Sequence, residues 1–128
     1  MAHVFDQMFL NESNVYCFEC GVRNVQWTSV NNAIFLCMNC SGVHRGFGVN
    51  LSFVRSTTMD EWSPKQLTLM MLGGNDKLKD FLADYDIPHE PYINKYKTKA
   101  CVYYRQMLED LAESKDAHEK PDLETGRE

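Results

Sequence analysis

Long hydrophobic runs are missing from this sequence of 128 residues. No apolar stretch approaches the ~20 residues that a membrane-spanning helix needs, and no signal peptide precedes the first motif. The second residue is Ala2, and this excludes N-myristoylation, which needs a glycine there. We therefore expect a soluble intracellular chain with reduced thiols and no transmembrane segment.

An excess of basic residues is also missing. The net charge is -5, from 13 basic and 18 acidic residues. Five acidic and two basic residues lie in the last stretch, 116–128, so the rest of the chain is nearly balanced. A balanced body offers no positive stripe to neutralise phosphates, and this argues against nucleic acid as the main partner. Protein partners are favoured instead.

Apolar residues are scarce in that last stretch, which contains Pro121 and Gly126. Such a segment cannot bury enough surface to order itself, so we expect a disordered tail or linker over residues 116–128. The rest of the chain has enough apolar residues for one modest core, and no internal repeat divides it. We predict a single domain over residues 1–115.

The cysteines that are present form a pattern. Two Cys-x2-Cys pairs are separated by sixteen residues, and their members are Cys17, Cys20, Cys37 and Cys40. Two such pairs complete a closed tetrahedral shell around one zinc ion, with no open position for catalysis. The sequence therefore predicts one structural zinc per chain, and the alternatives are two disulfides or four unrelated core thiols. Cys101 lies far downstream, and we expect it to be a small buried hydrophobe.

The middle of the chain has the composition of a small sheet. β-rich runs at 26–30 and 33–37 are joined by Asn31-Asn32, two residues that tolerate the left-handed conformation of a tight hairpin. A third alternating run follows at 53–59. Between them, Ser41 can cap a brief helical turn that ends at Gly46.

Helical patterns lie on either side of this sheet. A short helix is predicted at 4–10, and a second begins at Ser63, whose capping box with Gln66 encloses a proline. Asn75 can cap a third, and an amphipathic helix is predicted at 98–114. The fold class that we predict is α+β: a small three-stranded sheet with a four-cysteine zinc finger, flanked and followed by α-helices.

Several motifs together resemble the catalytic domain of the Arf GTPase-activating proteins. The matching runs are 17–21, 24–30, 37–49, 52–56 and 59–60, including an arginine five positions after the last cysteine of the finger. The resemblance covers about residues 5–110 and is closest to the Golgi-type branch. It implies a cytoplasmic protein of vesicle transport, peripheral at Golgi or vesicle membranes, whose main partner is a GTP-bound Arf-family small GTPase and whose additional partners are coat proteins.

The resemblance implies that Arg45 is an arginine finger that stimulates GTP hydrolysis by the GTPase. The protein would then be an activator without an independent substrate of its own. An arginine supplied in trans can be worth ~10³ to 10⁵ in the rate of phosphoryl transfer. If residues 40–45 are helical, five residues rotate the side chain by about 140°, so the guanidinium points away from the metal. Without the motif, Arg45 would be an ordinary surface or salt-bridged arginine.

The resemblance also implies a rim that faces the GTPase. Trp27 matches a tryptophan that supports the arginine and contacts the GTPase, and its alternative is a packed sheet residue. Met38 and the pair Met59-Asp60 match other rim positions. The alternatives are core methionines for the first two and a structural hydrogen bond for Asp60.

Three further residues need an interpretation of their own. His44 would share a helical face with Cys40, but four cysteines already saturate zinc, so we expect it to pack beside the ligands. Arg55 lies in a strand pattern, where a fixed structural contact is expected. Ala33 stands where the family usually has glycine, and Asn31-Asn32 are expected to supply the turn instead.

Two other functions compete with GTPase activation. One is a zinc-stabilised module that binds a small GTPase or coat component without catalytic stimulation, and Arg45 separates it from the first. The other is a nucleic-acid-binding zinc ribbon, against which the acidic net charge of -5 counts.

Overall fold

The structure is a computed structural model that describes residues 2–89, 92–114 and 119–128. Within these residues three short strands and seven α-helices follow one another, with the first cysteine pair before β1 and the second at the start of α2. The order is α1 (Ala2–Met8), a 3-10 turn (Glu12–Val15), β1 (Trp27–Ser29), β2 (Ile34–Leu36), α2 (Met38–Arg45), β3 (Val54–Ser56), α3 (Pro64–Leu72), α4 (Asn75–Asp84), α5 (Tyr92–Lys97), α6 (Lys99–Ala112) and α7 (Leu123–Gly126).

The three strands form one antiparallel sheet in the order β2-β1-β3. Trp27, the first residue of the central strand, pairs with Leu36 on one side and with Ser56 on the other. Because both neighbours run antiparallel to β1, the chain leaves β2 and β3 at the end of the sheet where β1 begins. The segments that follow the two outer strands therefore emerge beside Trp27. The predicted α+β class with a three-stranded sheet is confirmed.

The hairpin between β1 and β2 turns differently from the expectation. Ala33 has a φ of +54°, in the left-handed region, whereas Asn31 and Asn32 do not have a positive φ. The asparagine side chains instead tie the hairpin to the loop before β3: Asn31 Oδ1 accepts from Phe53 N at 2.9 Å, and Asn32 Nδ2 donates to Leu51 O at 2.8 Å. The prediction that Asn31-Asn32 supply the left-handed turn is wrong, and the strained position is the one where the resembled family has glycine.

Two of the predicted helix caps, Ser41 and Asn75, are not caps in the structure. Helix α2 begins at Met38, not at a cap on Ser41, because the Cys37 Sγ accepts a hydrogen bond from Cys40 N at 3.5 Å. The Ser41 hydroxyl donates backward to Met38 O at 2.6 Å. The capping box at Ser63 is confirmed in α3, with reciprocal bonds to Gln66.

Asn75 is the first residue of α4 and does not cap it. Its side chain faces inward and connects three segments: Oδ1 accepts from Phe35 N at 2.7 Å, and Nδ2 donates to Ser13 O at 3.1 Å and to Tyr16 O at 2.8 Å. Gly74 precedes it with a φ of +113° and makes no side-chain cap. The expected cap is therefore a buried link between the helices and the sheet.

The core lies between the sheet and the helices. Phe5 packs edge-on against both Phe35 and Trp62, and α6 packs along α3. Cys101 is buried within this core, as expected for a small hydrophobe. No helix in the part of the chain that the structure describes is long and apolar enough to cross a membrane.

The last residues differ from the expected disordered tail. Residues 119–128 include helix α7, which contacts α6, and Gly126 is buried against the ring of Tyr85. The Tyr85 hydroxyl bonds to Pro121 O, and Lys99 N donates to Glu128 O at 2.8 Å. Residues 115–118, where the tail was expected to begin, lie outside the described residues, and the boundary after residue 115 stays a prediction.

Candidate functional site

The four predicted metal ligands come together in space. One ligand atom from each of the four cysteines lies within 4.8 Å of every other, and among the described residues no other group of His, Cys, Asp or Glu was found with such an arrangement. Cys17, Cys37 and Cys40 are buried, and Cys20 is exposed. A set of four thiols at this spacing fits one tetrahedral metal ion.

Local backbone geometry places each pair of cysteines. Between the first pair, Cys17 N donates to Val22 O at 2.8 Å and Gly21 N donates to Cys17 O at 2.9 Å, with Gly21 at a φ of +80°. The second pair lies on the first turn of α2, where Cys37 is the N-cap. A metal ion bound by all four thiols would therefore fix the start of this helix.

The environment of the thiols explains why a cation belongs among them. Burial, the neighbouring Cys17 and hydrogen bonds from the other thiols raise the pKa of Cys40. The crowded thiols resist ionisation by themselves, because burial disfavours the charged thiolate and each thiolate would also face others of the same charge. A bound divalent cation reverses this preference and holds the ligands as thiolates.

A buried polar cluster forms around Glu19, within the first cysteine pair. The carboxylate of Glu19, which lies between Cys17 and Cys20 in sequence, is 2.6 Å from His44 Nε2 and accepts from the Tyr96 hydroxyl at 2.8 Å. The ammonium of Lys95 also donates to it. Burial raises the pKa of Glu19, but the His44 hydrogen bond and the positive charge of Lys95 outweigh it and hold that pKa below its usual value. The carboxylate is therefore charged and paired.

His44 is fully buried and does not belong to the four-cysteine group. Its Nδ1 lies 2.7 Å from Ser52 Oγ, and its other nitrogen faces Glu19. The sequence did not indicate Glu19, Lys95 or Tyr96 as members of this cluster. The one signal in the sequence was an acidic residue enclosed by two predicted metal ligands, which is weak without its distant partners.

Arg45 is the last residue of α2 and is exposed. It follows the buried His44, so the helix turns one side chain towards Glu19 and the next towards solvent. The guanidinium carbon lies 5.1 Å from the centre of the Trp27 ring. Within the described residues no carboxylate lies at ion-pair distance from Arg45, so its five donors are available to a partner.

The other predicted rim residues lie at the same end of the sheet. Met38 follows β2 and is 67% exposed, and Met59 follows β3 and is 72% exposed. Val43 and Val49 add exposed apolar surface to α2 and the loop after it, and the sequence did not single them out. Exposed methionines and valines on neighbouring segments, together with an unpaired arginine, are typical of a protein-binding face.

Asp60 has a different position from the methionines. Its Oδ2 accepts from Ser56 N at 2.7 Å, and its Oδ1 lies 3.6 Å from Arg55 Nη1. Arg55 also lies over the Phe53 ring at 4.6 Å, the fixed contact expected for it. The carboxylate of Asp60 thus closes the turn that presents Met59.

The sequence matches the ArfGap family, described as "Putative GTPase activating protein for Arf", over residues 2–117. It is 38% identical to the mouse (Mus musculus) ADP-ribosylation factor GTPase-activating protein 3 over 110 residues, and 36% identical to the yeast (Saccharomyces cerevisiae) ADP-ribosylation factor GTPase-activating protein GCS1 over 113 residues. These alignments cover 85% and 88% of this chain.

A solved structure is also similar, that of a putative GTPase-activating protein for ADP ribosylation factor from Cryptosporidium parvum. The TM-score is 0.79, with 32% identity, and the match covers 87% of this chain and 90% of the other. The mouse and yeast relatives are much longer proteins, since the alignments span 21% and 32% of their lengths.

Proposed function

The chain belongs to the ArfGap family, and on that premise we propose that it stimulates GTP hydrolysis by an Arf-type small GTPase through Arg45. The observation that carries this proposal is the position of Arg45. It is exposed and close to an aromatic ring, at the end of a helix whose first turn holds two metal ligands. An arginine that must enter another protein's active site needs this combination of a fixed base and a free tip.

The chemistry of phosphoryl transfer accounts for the arginine. Negative charge spreads over the oxygens of the transferred phosphoryl group in the transition state, and little covalent work is left for the protein. A guanidinium placed against these oxygens donates in a planar fork that a lysine cannot reproduce. Arg45 would act in trans on the GTP bound to the GTPase, and the chain itself would have no independent substrate.

We propose zinc as the metal of the four-cysteine centre. Zinc–sulfur bonds of about 2.3 Å in a tetrahedron place two sulfurs about 3.8 Å apart. The Sγ atoms of Cys20 and Cys37, one from each pair, are 3.7 Å apart. A closed shell of four thiolates has no open position, so the metal would be structural and would hold the base of α2.

The roles of the rim residues follow from their positions. Trp27 would hold the Arg45 side chain in an extended orientation before the GTPase binds, through a contact of the cation–π type. Met38 and Met59 would be buried against the GTPase. Asp60 would act at this face by fixing the turn that carries Met59, through its bond to Ser56 N.

The cellular setting is a further part of the proposal. The resemblance to the Golgi-type branch supports a cytoplasmic protein that works at the surface of Golgi or vesicle membranes, with coat proteins as additional partners. Recruitment there would depend on regions outside this chain, which spans a fifth of the mouse relative.

A single-turnover experiment tests the proposal. A GTP-loaded Arf-type GTPase is mixed with the wild-type chain, with Arg45→Lys and with Arg45→Ala, and phosphate release is followed. Both variants should lose stimulation by about 10²- to 10⁴-fold, because lysine keeps the charge but not the forked geometry. The maximal rate should fall far more than affinity, because the arginine acts in the transition state.

Arg127→Ala is the matched control, since Arg127 is an exposed arginine outside the proposed binding face. It lies in the C-terminal segment, residues 119–128, which packs on Tyr85 and α6. This variant should stimulate hydrolysis like the wild type. Wild-type chain that binds the GTPase without accelerating hydrolysis would establish the zinc-stabilised binding module instead. If Arg45→Ala is as active as wild type, the finger has been misassigned and Arg55 is the next residue to test.

A further inference from the structure

A groove lies next to the proposed GTPase-binding face and has no part in the mechanism described above. Its volume is about 720 Å³, and it is lined by Phe9, Val15, Arg23, Asn24, Val25, Gln26, Thr57 and Thr58. Of these described residues, Arg23 alone carries a charge. The groove therefore combines an apolar floor with one cation and several neutral polar groups.

The groove adjoins the proposed binding face, because two of its lining residues are direct sequence neighbours of residues in that face. Gln26 immediately precedes Trp27, and Thr58 immediately precedes Met59. Its two walls are joined across the sheet end, because Thr57 N and Thr57 Oγ1 both bond to Gln26 O, at 2.9 and 3.2 Å. A protein that covers Trp27 and Met59 would thus also reach this groove.

Arg23 is held in place by the metal-binding loop. Its backbone forms an isolated bridge with Tyr16, and its guanidinium carbon lies 5.9 Å from the centre of the Tyr16 ring. The neighbouring Val22 accepts the hydrogen bond of Cys17 N, so the metal ligand fixes this segment. Arg23 is exposed, and no carboxylate within the described residues pairs with it at ion-pair distance.

We propose that this groove binds an acidic segment of the same GTPase and that Arg23 contributes affinity and specificity without a part in the chemistry. The inference rests on the proposed function, since it places the groove at the edge of the GTPase contact. A positioned, unpaired cation in a groove without any other charge favours a carboxylate-bearing partner. Charges at the rim of an interface chiefly raise the association rate, and their effect decreases with salt.

The test is the concentration dependence of single-turnover GTP hydrolysis by a GTP-loaded Arf-type GTPase. Arg23→Glu should raise the half-saturating concentration of this chain about tenfold or more and leave the plateau rate unchanged within about twofold. Arg23→Lys, which keeps the charge, should stay within about threefold of wild type. The half-saturating concentration of wild type should rise with added salt more steeply than that of Arg23→Ala.

Lys79→Glu is the matched control, because Lys79 is an exposed cation on α4 that lines a different groove. It makes the same change in net charge and should leave the half-saturating concentration within about twofold of wild type. Equal effects of Arg23→Glu and Lys79→Glu would overturn the proposal, because net charge alone would then account for the change. A fall in the plateau rate with Arg23→Glu would also overturn it.

Direct binding separates this inference from the proposed function. If wild type does not accelerate hydrolysis but binds the GTP-loaded GTPase, as measured by titration calorimetry, the function fails while the groove is still tested by the affinity of Arg23→Glu. Weaker binding of that variant than of Lys79→Glu supports the groove. Unchanged binding, or no binding by wild type at all, rejects it.

Discussion

Two regions of this molecule are built in different ways. The sheet region, residues 16–62, is connected by backbone pairing and contains the four cysteines. The helical region, the described part of residues 63–112, reaches into it with buried polar side chains. Asn75 accepts from Phe35 N at 2.7 Å, and Arg105 Nη1 donates to Asn32 Oδ1 at 3.1 Å. Lys95 of the helical region likewise donates to the carboxylate of Glu19 in the sheet region.

The arginines of the two regions show what the difference means. Arg23, Arg45 and Arg55 of the sheet region each lie over an aromatic ring and are at least partly exposed. Arg105 of the helical region lies largely within the protein, and burial lowers the pKa of its guanidinium. It donates to Asn32 and, at 3.0 Å, to Tyr96 O. Arg55 is also paired with Asp60, whereas Arg23 and Arg45 have no ion-pair partner among the described residues. The sheet region thus keeps two unpaired cations at its surface, and Arg105 of the helical region supports the sheet through Asn32.

The largest effect is expected when the metal is removed from the sheet region. Removal of the metal with a chelator should abolish the cooperative thermal transition, because structural zinc supplies about 10 to 16 kcal/mol of apparent binding free energy. That exceeds or matches the whole stability of an ordinary domain, about 5 to 15 kcal/mol. The measurements are zinc content by elemental analysis and thermal unfolding by circular dichroism, with and without chelator.

Cys101→Ala is the control for this experiment. It removes a buried thiol outside the metal centre and should keep one zinc per chain and a cooperative transition. Purified wild-type protein without zinc, or a chelated sample with an unchanged melting temperature, would refute the metal centre as the foundation of the sheet region.

A smaller effect is expected from cutting one link between the regions. Asn75→Ala should lower the free energy of unfolding by about 3 kcal/mol, because Phe35 N, Ser13 O and Tyr16 O lose their partners inside the protein. Denaturant titration measures this change. The plateau rate of stimulated GTP hydrolysis should stay within about twofold of wild type at a temperature where the variant is folded.

Asn94→Ala serves as the matched control, since Asn94 is exposed on α5, and its cost should be below about 0.5 kcal/mol. If Asn75→Ala is fully folded and yet no longer stimulates GTP hydrolysis, the helical region does more than support the sheet. The comparison between the two regions would then fail.

The parts of the fold that could be predicted depend on neighbours in sequence. The three strands, the metal ligands and the Ser63 capping box each follow from a short pattern of residues. Helix α5 was missed, although the helices before and after it were predicted. Its Lys95 bonds to Glu19, 76 residues earlier, and no local pattern reports a partner at that distance.

The candidate site divides in the same way. Arg45 and Trp27 were identified from motifs, and in the structure the guanidinium carbon of Arg45 lies 5.1 Å from the centre of the Trp27 ring. The turn at Ala33 was predicted incorrectly, because the asparagines before it bond to the loop preceding β3, which the sequence could not show. Asp60 resembled a rim residue by spacing, but its side chain direction depends on the fold of the turn around Ser56.

The smallest effect is expected at the C-terminal segment, which belongs to neither region. In Gly126→Val, the new Cβ would lie 2.2 Å from Tyr85 Cε1, so α7 must move away from the ring. Because this segment contributes few buried contacts, the free energy of unfolding should fall by about 1 kcal/mol or less, with unchanged GTP hydrolysis. The amide of Lys99, which donates to Glu128 O at 2.8 Å, should exchange its hydrogen faster. Glu124→Val, exposed on the same helix, should change neither property. A loss above about 2 kcal/mol would place the segment inside the folded domain and move the predicted boundary beyond residue 115.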